Sequence, residues 1–386
     1  MHFKHTTLGQ RVLFGSGRAA AHVAAEIERL GASRPMIVAA DSERAFAETA
    51  TAGITAVLWW DEVAQHVPVE VADAARVEAA HYGIDVIVCV GGGSTTGLAK
   101  AVALTAHVPI IAVPTTYAGS EATNVWGLTE DRTKTTGIDD RVLPVAVVYD
   151  ADLSKSLPVG LSVASGLNGM AHCIDSLWAP KADPINQALA LEGARALNLA
   201  LRGIVADPDD LRAREQALYG CYLAAVAFAS AGSGLHHKIC HVLGGTFDLP
   251  HAQTHATVLP YVLALNAPAV PELATGLATA LGRSAATAQE HGVAYIGTLE
   301  APPRVIREAP ALAAVIALNS LREAVQAPSR LADYGFTADR IPEAVRRILT
   351  AAPSSNPVAV TEENLTALLT DALTGATPSP ATLVAR

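Results

Sequence analysis

Short apolar runs rich in β-branched residues alternate with helical segments through the first 150 residues, and this alternation limits the fold more than any other feature. The runs are PMIVAAD, ITAVLWW, IDVIVCVGGGS, PIIAVPTT and VAVVYD, and helical patterns such as those over residues 69–82 and 95–106 separate them. Apolar runs spaced in this way are typical of a parallel sheet covered on both faces. The alternation therefore predicts a doubly wound, mainly parallel α/β domain.

The character of the sequence changes after Pro158. Just before this point, the segment VWGLTEDRTKTTGID alternates and is rich in turn residues, which predicts a β-hairpin. Beyond it, strand-like runs vanish and Ala- and Leu-rich helical periodicity continues. We expect an α/β domain over residues 1–157 and an all-helical domain over residues 158–386. An apolar share of 51% is ample for both cores.

Composition argues against several classes of protein. The net charge is −10, and Lys and Arg neither cluster nor interleave with aromatic residues, so we expect no nucleic-acid partner. Residues 217–235 carry no charge but are mostly Ala, Gly and Ser without a basic flank, so a buried helix is expected there and not a membrane span. The N-terminus has no secretory or transit pattern, and the scattered cysteines suggest reduced core thiols, so we expect a cytoplasmic protein. These cysteines are Cys89, Cys173, Cys221 and Cys240.

Two glycine-bearing turns are candidates to bind phosphate. FGSGRAAA places Gly15 and Gly17 between a short strand and a helix, and Asp41 ends the next strand about twenty residues on, as in the dinucleotide-binding fingerprint. VCVGGGSTTGLAK joins the most apolar strand directly to a helix. Its backbone N–H groups and helix end can receive an anion, and the missing Cβ atoms let a pyrophosphate come close. Each motif is also compatible with a tight turn that binds nothing.

The candidate nucleotide contacts lie at the ends of strands, where open α/β sheets bind their ligands. A carboxylate at the position of Asp41 can bond both ribose hydroxyls and repels a 2′-phosphate, so NADH is expected as the cofactor, with use of NADPH left open. The full set of candidates is Asp41, Gly91, Gly92, Gly93, Ser94, Thr115, Thr116 and Ser120.

The segment GLHHKICHVLGGTFDLPHAQTHA holds five of the thirteen histidines. His237 and His241 are four residues apart, which places both on one face of a helix. We expect Pro250 to stop this helix and to present His251 from a turn. Upstream, Asn168 and His172 have the same spacing in SGLNGMAHCID. Together these residues predict one small site, and the alternative for each is a satisfied polar residue of a helical core.

The chain resembles the iron-containing (group III) alcohol dehydrogenases. The shared motifs are GGGS…K, VPTTYAGSEAT, YDADLSKSLPVGLSVASGLNGMAHCID and HHKICHVLGGTFDLPH. The resemblance implies a dehydroquinate synthase-like architecture, with the active site between a nucleotide-binding domain and a helical domain. It also implies that the family's metal-ligand positions are Asn168, His172, His237 and His251, and that His241 lies beside the nicotinamide.

Two positions depart from the usual family pattern. Asn168 replaces the metal-binding Asp, and Gly97 replaces the Asp of GGGSxxD. Both departures are similar to one branch of the family, the maleylacetate reductases. This resemblance implies reduction of maleylacetate to 3-oxoadipate in microbial breakdown of resorcinol, hydroxyquinol or chlorinated aromatics. Because a neutral Asn is a weak ligand, no resident metal is expected, and the histidines at these positions, with His241, are expected to stabilise and protonate an enolate.

Maleylacetate is a dianion, so its site needs positive charge. The candidates for contact with the substrate are Lys238, Lys134, Arg330 and Tyr117. A homodimer is expected from the apolar composition. Two alternatives stay open: a metal-dependent alcohol or aldehyde dehydrogenase of the same family, in which three His bind Zn²⁺ or Fe²⁺, and an NAD-binding sensor or scaffold without catalysis.

Overall fold

The computed structural model describes residues 2–130, 133–283 and 303–378. Its N-terminal part contains a six-stranded sheet and a separate hairpin. The strands are β1 Arg11–Phe14, β2 Pro35–Val38, β3 Leu58–Trp60, β4 Val86–Gly91, β5 Ile110–Pro114, β6 Val125–Glu130, β7 Thr133–Ile138 and β8 Ala146–Tyr149. The helices of this part are α1 Ala19–Leu30, α2 Arg44–Ala50, α3 Val69–His81 and α4 Gly93–Ala106.

The sheet has the strand order β1-β8-β5-β4-β2-β3, and every pairing in it is parallel. Alternate residues of β4 point to opposite faces. Val86, Val88 and Val90 join the core beneath α1 and α2, whereas Ile87 and Cys89 join the core beneath α3 and α4. Burial on both faces explains why these strands are apolar throughout. The doubly wound α/β domain is confirmed, and so is the hairpin, since β6 and β7 pair antiparallel.

After β8 the described elements are helical. They are α5 Val159–Ser176, α6 Pro184–Ala206, α7 Leu211–Ala231, α8 Leu235–Phe247, α9 His251–Asn266, α10 Pro271–Ala280, α11 Pro303–Ala324, α12 Ile341–Ala351 and α13 Glu362–Thr374, with short 3-10 turns between some of them. An N-terminal parallel α/β domain followed by an all-helical domain confirms the predicted architecture.

Small residues let the central helices of the second domain approach closely. A Cβ atom added to Gly193 of α6 would lie 3.2 Å from the carbonyl oxygen of Gly220 in α7. The uncharged segment 217–235 therefore forms part of a packed core, as expected. Over the described part of the chain, no single helix has the length and apolarity to cross a membrane; α7 and α8 would meet those criteria only as a pair, and they are bent by 97°.

Candidate active site

The turn between β4 and α4 requires glycine. Gly91 has φ +150°, and a Cβ on it would lie 2.5 Å from Oγ1 of Thr95. A Cβ on Gly92 would lie 3.1 Å from Cγ2 of Thr116. No side chain caps the N-terminus of α4, so the backbone N–H groups of its first turn are available to an anion.

The other glycine turn is already filled by the protein itself. Oδ1 of Asp150 accepts a hydrogen bond from the N–H of Gly17, and Oδ2 accepts one from the N–H of Ala19, both at 2.9 Å. In the same turn, Oγ of Ser16 donates to Glu215 of α7 at 2.7 Å. This turn therefore joins the two domains, and of the two candidate phosphate sites only the one at α4 is open.

Asp41 and Glu43 belong to a 3-10 turn that is separated from the end of β2 by two residues, so Asp41 does not end the strand as predicted. Asp41 is exposed. Oε1 of Glu43 accepts a hydrogen bond from Oγ1 of Thr115, which follows β5, at 3.2 Å. Because β4 lies between β2 and β5, this bond passes over the carboxyl end of β4, beside Gly91. Burial raises the pKa of Glu43. No sequence motif marks Glu43, so its position at the sheet edge emerges only from the structure.

A buried lysine holds the loop that carries Ser120. Nζ of Lys100, at the end of the GGGSTTGLAK motif, donates to the carbonyl oxygens of Ser120 at 2.7 Å and of Thr123 and Val125 at 2.8 Å. Burial lowers the pKa of Lys100 to about 7, and the nearby Glu121 opposes this shift. Lys100 thus positions a candidate nucleotide-binding loop, a role that only the contacts reveal.

Tyr117 does not face the cleft, which corrects its assignment as a substrate contact. Its side chain is fully buried, and its hydroxyl accepts a hydrogen bond from Nη1 of Arg214 at 3.1 Å. The buried guanidinium of Arg214, on α7, also donates to the carbonyl oxygens of Ser154 at 2.6 Å and Leu157 at 3.2 Å. Tyr117 therefore belongs to a hydrogen-bonded interface between the domains, because α7 covers the end of the strand that precedes it.

His237 is fixed by a carboxylate that sequence analysis overlooked. Its Nδ1 lies 2.7 Å from Oδ2 of Asp175, and both groups are buried. The same oxygen accepts from the N–H of Gly234 at 2.9 Å, and a Cβ on Gly234 would overlap the carboxylate. When Nδ1 of His237 carries the proton and donates to Asp175, the other ring nitrogen, Nε2, is unprotonated and lies on the side of the ring away from Asp175. The available signal was the i, i+3 spacing of His172 and Asp175 on α5.

His172 stacks on His237 with ring centroids 5.0 Å apart, and on its other neighbour Phe228 at 4.7 Å. Burial, with a smaller contribution from His251, lowers the pKa of His172 to about 4. Burial likewise holds the pKa of His237 well below its ordinary value and raises the pKa of Asp175. At neutral pH these buried imidazoles are uncharged.

His241 and His251 lie at the exposed rim of the cluster. The ring of His241 is 6.2 Å from that of His237, and the ring of His251 is 4.4 Å from that of His255. His251 is the first residue of α9, with Pro250 at the N-cap position, so it is not presented from a turn as expected. Proline is common at the start of helices, and Pro250 precedes the first residue of α9 instead of only ending α8.

The donor set at the family's metal position lacks an anionic ligand. Oδ1 of Asn168 is buried and has no hydrogen-bond partner among the residues described. Asn168, His172, His237 and His251 offer one neutral amide oxygen and three imidazoles, and Asp175 binds the far side of His237. This set does not fit the carboxylate-bearing Fe²⁺ site that the resemblance implies.

Gly97, the second departure from the family pattern, lies in a tightly packed position. Gly97 lies on α4, where a Cβ would be 2.8 Å from Cγ2 of Val67. An aspartate at this position would need the Val67 side chain to move. The chain is therefore packed for glycine at this position.

Two further histidines, His236 and His255, lie on the buried side of the cluster. Nε2 of His236 and Nδ1 of His255 are 3.0 Å apart, and both residues are fully buried. Sγ of Cys240 lies 3.6 Å from the same nitrogen of His236. The donor atoms of these three residues are close enough to hold a metal ion. In the structure, however, the two rings are hydrogen-bonded to each other.

The remaining candidates for substrate contact differ in position. Lys238 is half-buried on α8, and its charge adds to the burial that lowers the pKa of His237. Lys134 lies in β7, but its side chain is outside the described part of the structure. Arg330 pairs with Asp333 at 2.9 Å and packs against Gly375, beyond the end of α13.

The contacts of Arg330 lead to the second half of α9. Ala376, next to Gly375, accepts a hydrogen bond from the hydroxyl of Tyr261 at 2.8 Å. Tyr261 follows His251 on α9 by about 15 Å of helix. These contacts connect Arg330 to Tyr261, in the second half of α9, and its assignment to the substrate stays a prediction.

The comparisons with known proteins agree with this geometry. Residues 9–151 match the family model described as iron-containing alcohol dehydrogenase, and residues 162–373 match the model of the family's C-terminal domain. The chain belongs to the iron-containing alcohol dehydrogenase family. Among solved structures, an iron-containing alcohol dehydrogenase from Corynebacterium glutamicum is 54% identical, with a TM-score of 0.90 and 99% of each chain covered.

Within this family, the relatives include maleylacetate reductases. The maleylacetate reductase of Sphingobium indicum is 42% identical over 98% of this chain and 99% of the relative. The solved maleylacetate reductase of Rhizobium sp. is 39% identical, with a TM-score of 0.86 over 98% of this chain and 100% of that one. The resemblance to this branch is thereby confirmed.

Proposed function

We propose that this chain reduces the carbon–carbon double bond of maleylacetate to give 3-oxoadipate, with NADH as the hydride donor, in microbial degradation of aromatic compounds. The observation that carries the proposal is the histidine cluster with Asn168 at the family's metal position. The full-length similarity to maleylacetate reductases supports it.

The cofactor would bind along the carboxyl edge of the sheet. Its pyrophosphate would lie at Gly91–Ser94, where the N-terminus of α4 is open, and its adenosine ribose near Asp41. Asp41→Ala is expected to reduce the preference for NADH over NADPH, because it removes both the ribose hydrogen bonds and the repulsion of a 2′-phosphate. The ratio of kcat/KM values for the two cofactors measures this, and an unchanged ratio would place the ribose elsewhere.

The proposed reduction depends more on a proton donor than on a metal ion that acts as a Lewis acid. Hydride from NADH adds to the alkene carbon β to the ketone, and the π electrons move to the ketone oxygen to form an enolate. A hydrogen-bond donor stabilises that oxygen, and a proton then reaches the carbon α to the ketone. The rim histidines His241 and His251 are exposed and suit proton exchange with solvent. Lys238 is the candidate to bind a substrate carboxylate.

The decisive experiment is an NADH-depletion assay with freshly prepared maleylacetate, run with and without a chelator, with 3-oxoadipate identified as the product. We expect turnover in both conditions. Oxidation of simple alcohols that depends on added Fe²⁺ or Zn²⁺, without reduction of maleylacetate, would instead favour a metal-dependent alcohol dehydrogenase. Cofactor binding without any turnover would favour a sensor or scaffold.

We also propose a cytoplasmic homodimer. β1 is an edge strand whose Val12 and Phe14 side chains are 40% and 41% exposed, which is typical of a surface that another chain covers. The four cysteines are buried and unpaired, which suits a reducing compartment. Light scattering of the purified protein measures its mass in solution, and a monomer would contradict the proposed homodimer.

A further inference from the structure

Two fully buried histidines lie directly behind the rings that we assign to the chemistry. His236 is on α8 and His255 is on α9, and their Nε2 and Nδ1 atoms are 3.0 Å apart. Neither side chain has any exposed surface, so neither can touch a substrate. Their hydrogen bond ties together the two helices that carry His237, His241 and His251.

His255 is in contact with the site on two sides. Its ring centroid is 4.4 Å from that of His251 and 4.9 Å from that of His237. His251 and His255 are four residues apart on α9, so they share a helix face. The ring of His251, at the first residue of the helix, therefore packs against that of His255 one turn further along α9.

Packing alone is a poor reason for this pair. Burying a polar group costs free energy unless it is hydrogen-bonded, and two leucines would fill the same space without that cost. Each ring also keeps one nitrogen, Nδ1 of His236 and Nε2 of His255, with no partner among the residues described. The hydrogen bond between the rings is therefore the feature that distinguishes the pair from an apolar core.

We propose that His236 and His255 form a positioning pair, whose mutual hydrogen bond holds the rings of His251 and His237 in the orientation that proton transfer to the substrate requires. This inference rests on the function proposed above. The pair acts through its neighbours, so its loss changes the geometry of the reacting groups and leaves the nucleotide crevice on the sheet intact. Small misplacements of reacting groups cost about 10- to 100-fold in rate.

The test compares apolar and conservative replacements at each position. His255→Leu and His236→Leu remove the hydrogen bond, whereas His255→Asn keeps a polar atom near Nδ1 and His236→Gln keeps one near Nε2. His81→Leu, at an exposed histidine of α3, is the matched control. The double leucine variant completes the cycle. Circular dichroism and NADH fluorescence check folding and cofactor binding.

We expect each leucine variant to lower kcat about 10-fold or more, with the KM for NADH within about twofold of the wild type. His255→Asn and His236→Gln should recover most of that loss, and the double leucine variant should be no worse than the poorer single variant, because the two rings act as a unit. If the leucine variants do not fold, the Asn and Gln variants alone must keep kcat near the wild-type value.

Three results would overturn the proposal. The first is a leucine variant that folds and keeps kcat within twofold. The second is equal loss in the leucine and conservative variants, which would indicate packing alone. The third is a stoichiometric metal in the wild-type protein that Cys240→Ser removes, which would make the pair metal ligands.

A measurement without turnover separates this inference from the proposed function. In imidazole ¹⁵N NMR spectra, the wild type should show a hydrogen-bonded N–H between the two rings. His255→Leu should shift the His251 signals, and His255→Asn should not. If these spectra appear but maleylacetate is not reduced, the function fails and the positioning pair stands. If His251 is unperturbed in both variants, the positioning pair fails whatever the substrate.

Discussion

Asp175→Asn isolates the contribution of the carboxylate behind His237. Oδ2 of Asp175 accepts from Nδ1 of His237 at 2.7 Å and from the N–H of Gly234 at 2.9 Å, whereas Oδ1 has no partner among the described residues. An amide oxygen placed at Oδ2 keeps both contacts, and the NH₂ group then takes the place of Oδ1. The variant therefore keeps the shape of the site and removes only its negative charge.

The magnitude follows from the change in hydrogen-bond type. A hydrogen bond to a charged group contributes about 1.5–3 kcal/mol, and a neutral one about 0.5–1.5 kcal/mol. The loss of roughly 1–2 kcal/mol corresponds to about a 5- to 30-fold fall in kcat, if His237 takes up a proton as negative charge develops on the substrate and Asp175 stabilises the resulting imidazolium. NADH binding should change little, because Asp175 lies on α5 and not along the sheet edge.

The assay is NADH oxidation at saturating maleylacetate, with the dissociation constant of NADH measured separately by fluorescence. Asp248→Asn is the matched control, because Asp248 is an exposed aspartate directly after α8, the helix of His237, and its left-handed conformation at φ 57° suits asparagine. A kcat for Asp175→Asn within twofold of the wild type would refute the reasoning. An equal fall for Asp248→Asn would show a general effect of charge and not a role for this carboxylate.

Three further outcomes are expected. His241→Ala or His251→Ala should lower kcat by about 10²-fold, whereas Lys238→Ala should mainly raise the KM for maleylacetate. Steady-state kinetics separate the two effects. A raised KM in the histidine variants and a lowered kcat in the lysine variant would exchange the roles of these residues. The wild type should hold well under one equivalent of Fe or Zn by elemental analysis, and Asn168→Asp should bind more; a stoichiometric, essential metal in the wild type would contradict this. The protein should lose stability in acid, because the unfolded chain binds a proton on His172 near its ordinary pKa of about 6.5 and the folded protein only near 4. The contribution of His172 is complete above about pH 6.5 and falls by about 2 kcal/mol at pH 5. Urea unfolding at pH 7 and pH 5 measures the change, and equal midpoints would contradict the expectation.

The sequence by itself determined the features that depend on local periodicity. Continuous apolar runs around Val88 and Ile111 predicted a parallel sheet buried on both faces, and turn-rich alternation predicted the hairpin. The i, i+4 spacing of His237 and His241 predicted a shared helix face. These features follow from the geometry of a single helix or strand, which repeats every few residues and can be read from one segment.

Only the tertiary structure decided between alternatives that neighbouring residues cannot distinguish. The two glycine turns look alike in sequence, and Asp150, far along the chain, fills one of them. Tyr117 follows a strand end like a ligand contact, but Arg214 of the helical domain covers it. Asp175 and His255 lie in segments that the sequence singles out, but spacing alone assigns a role to neither of them. Their roles depend on hydrogen bonds and ring contacts between separate helices, and such contacts form only when packing brings distant segments together, so no local pattern records them.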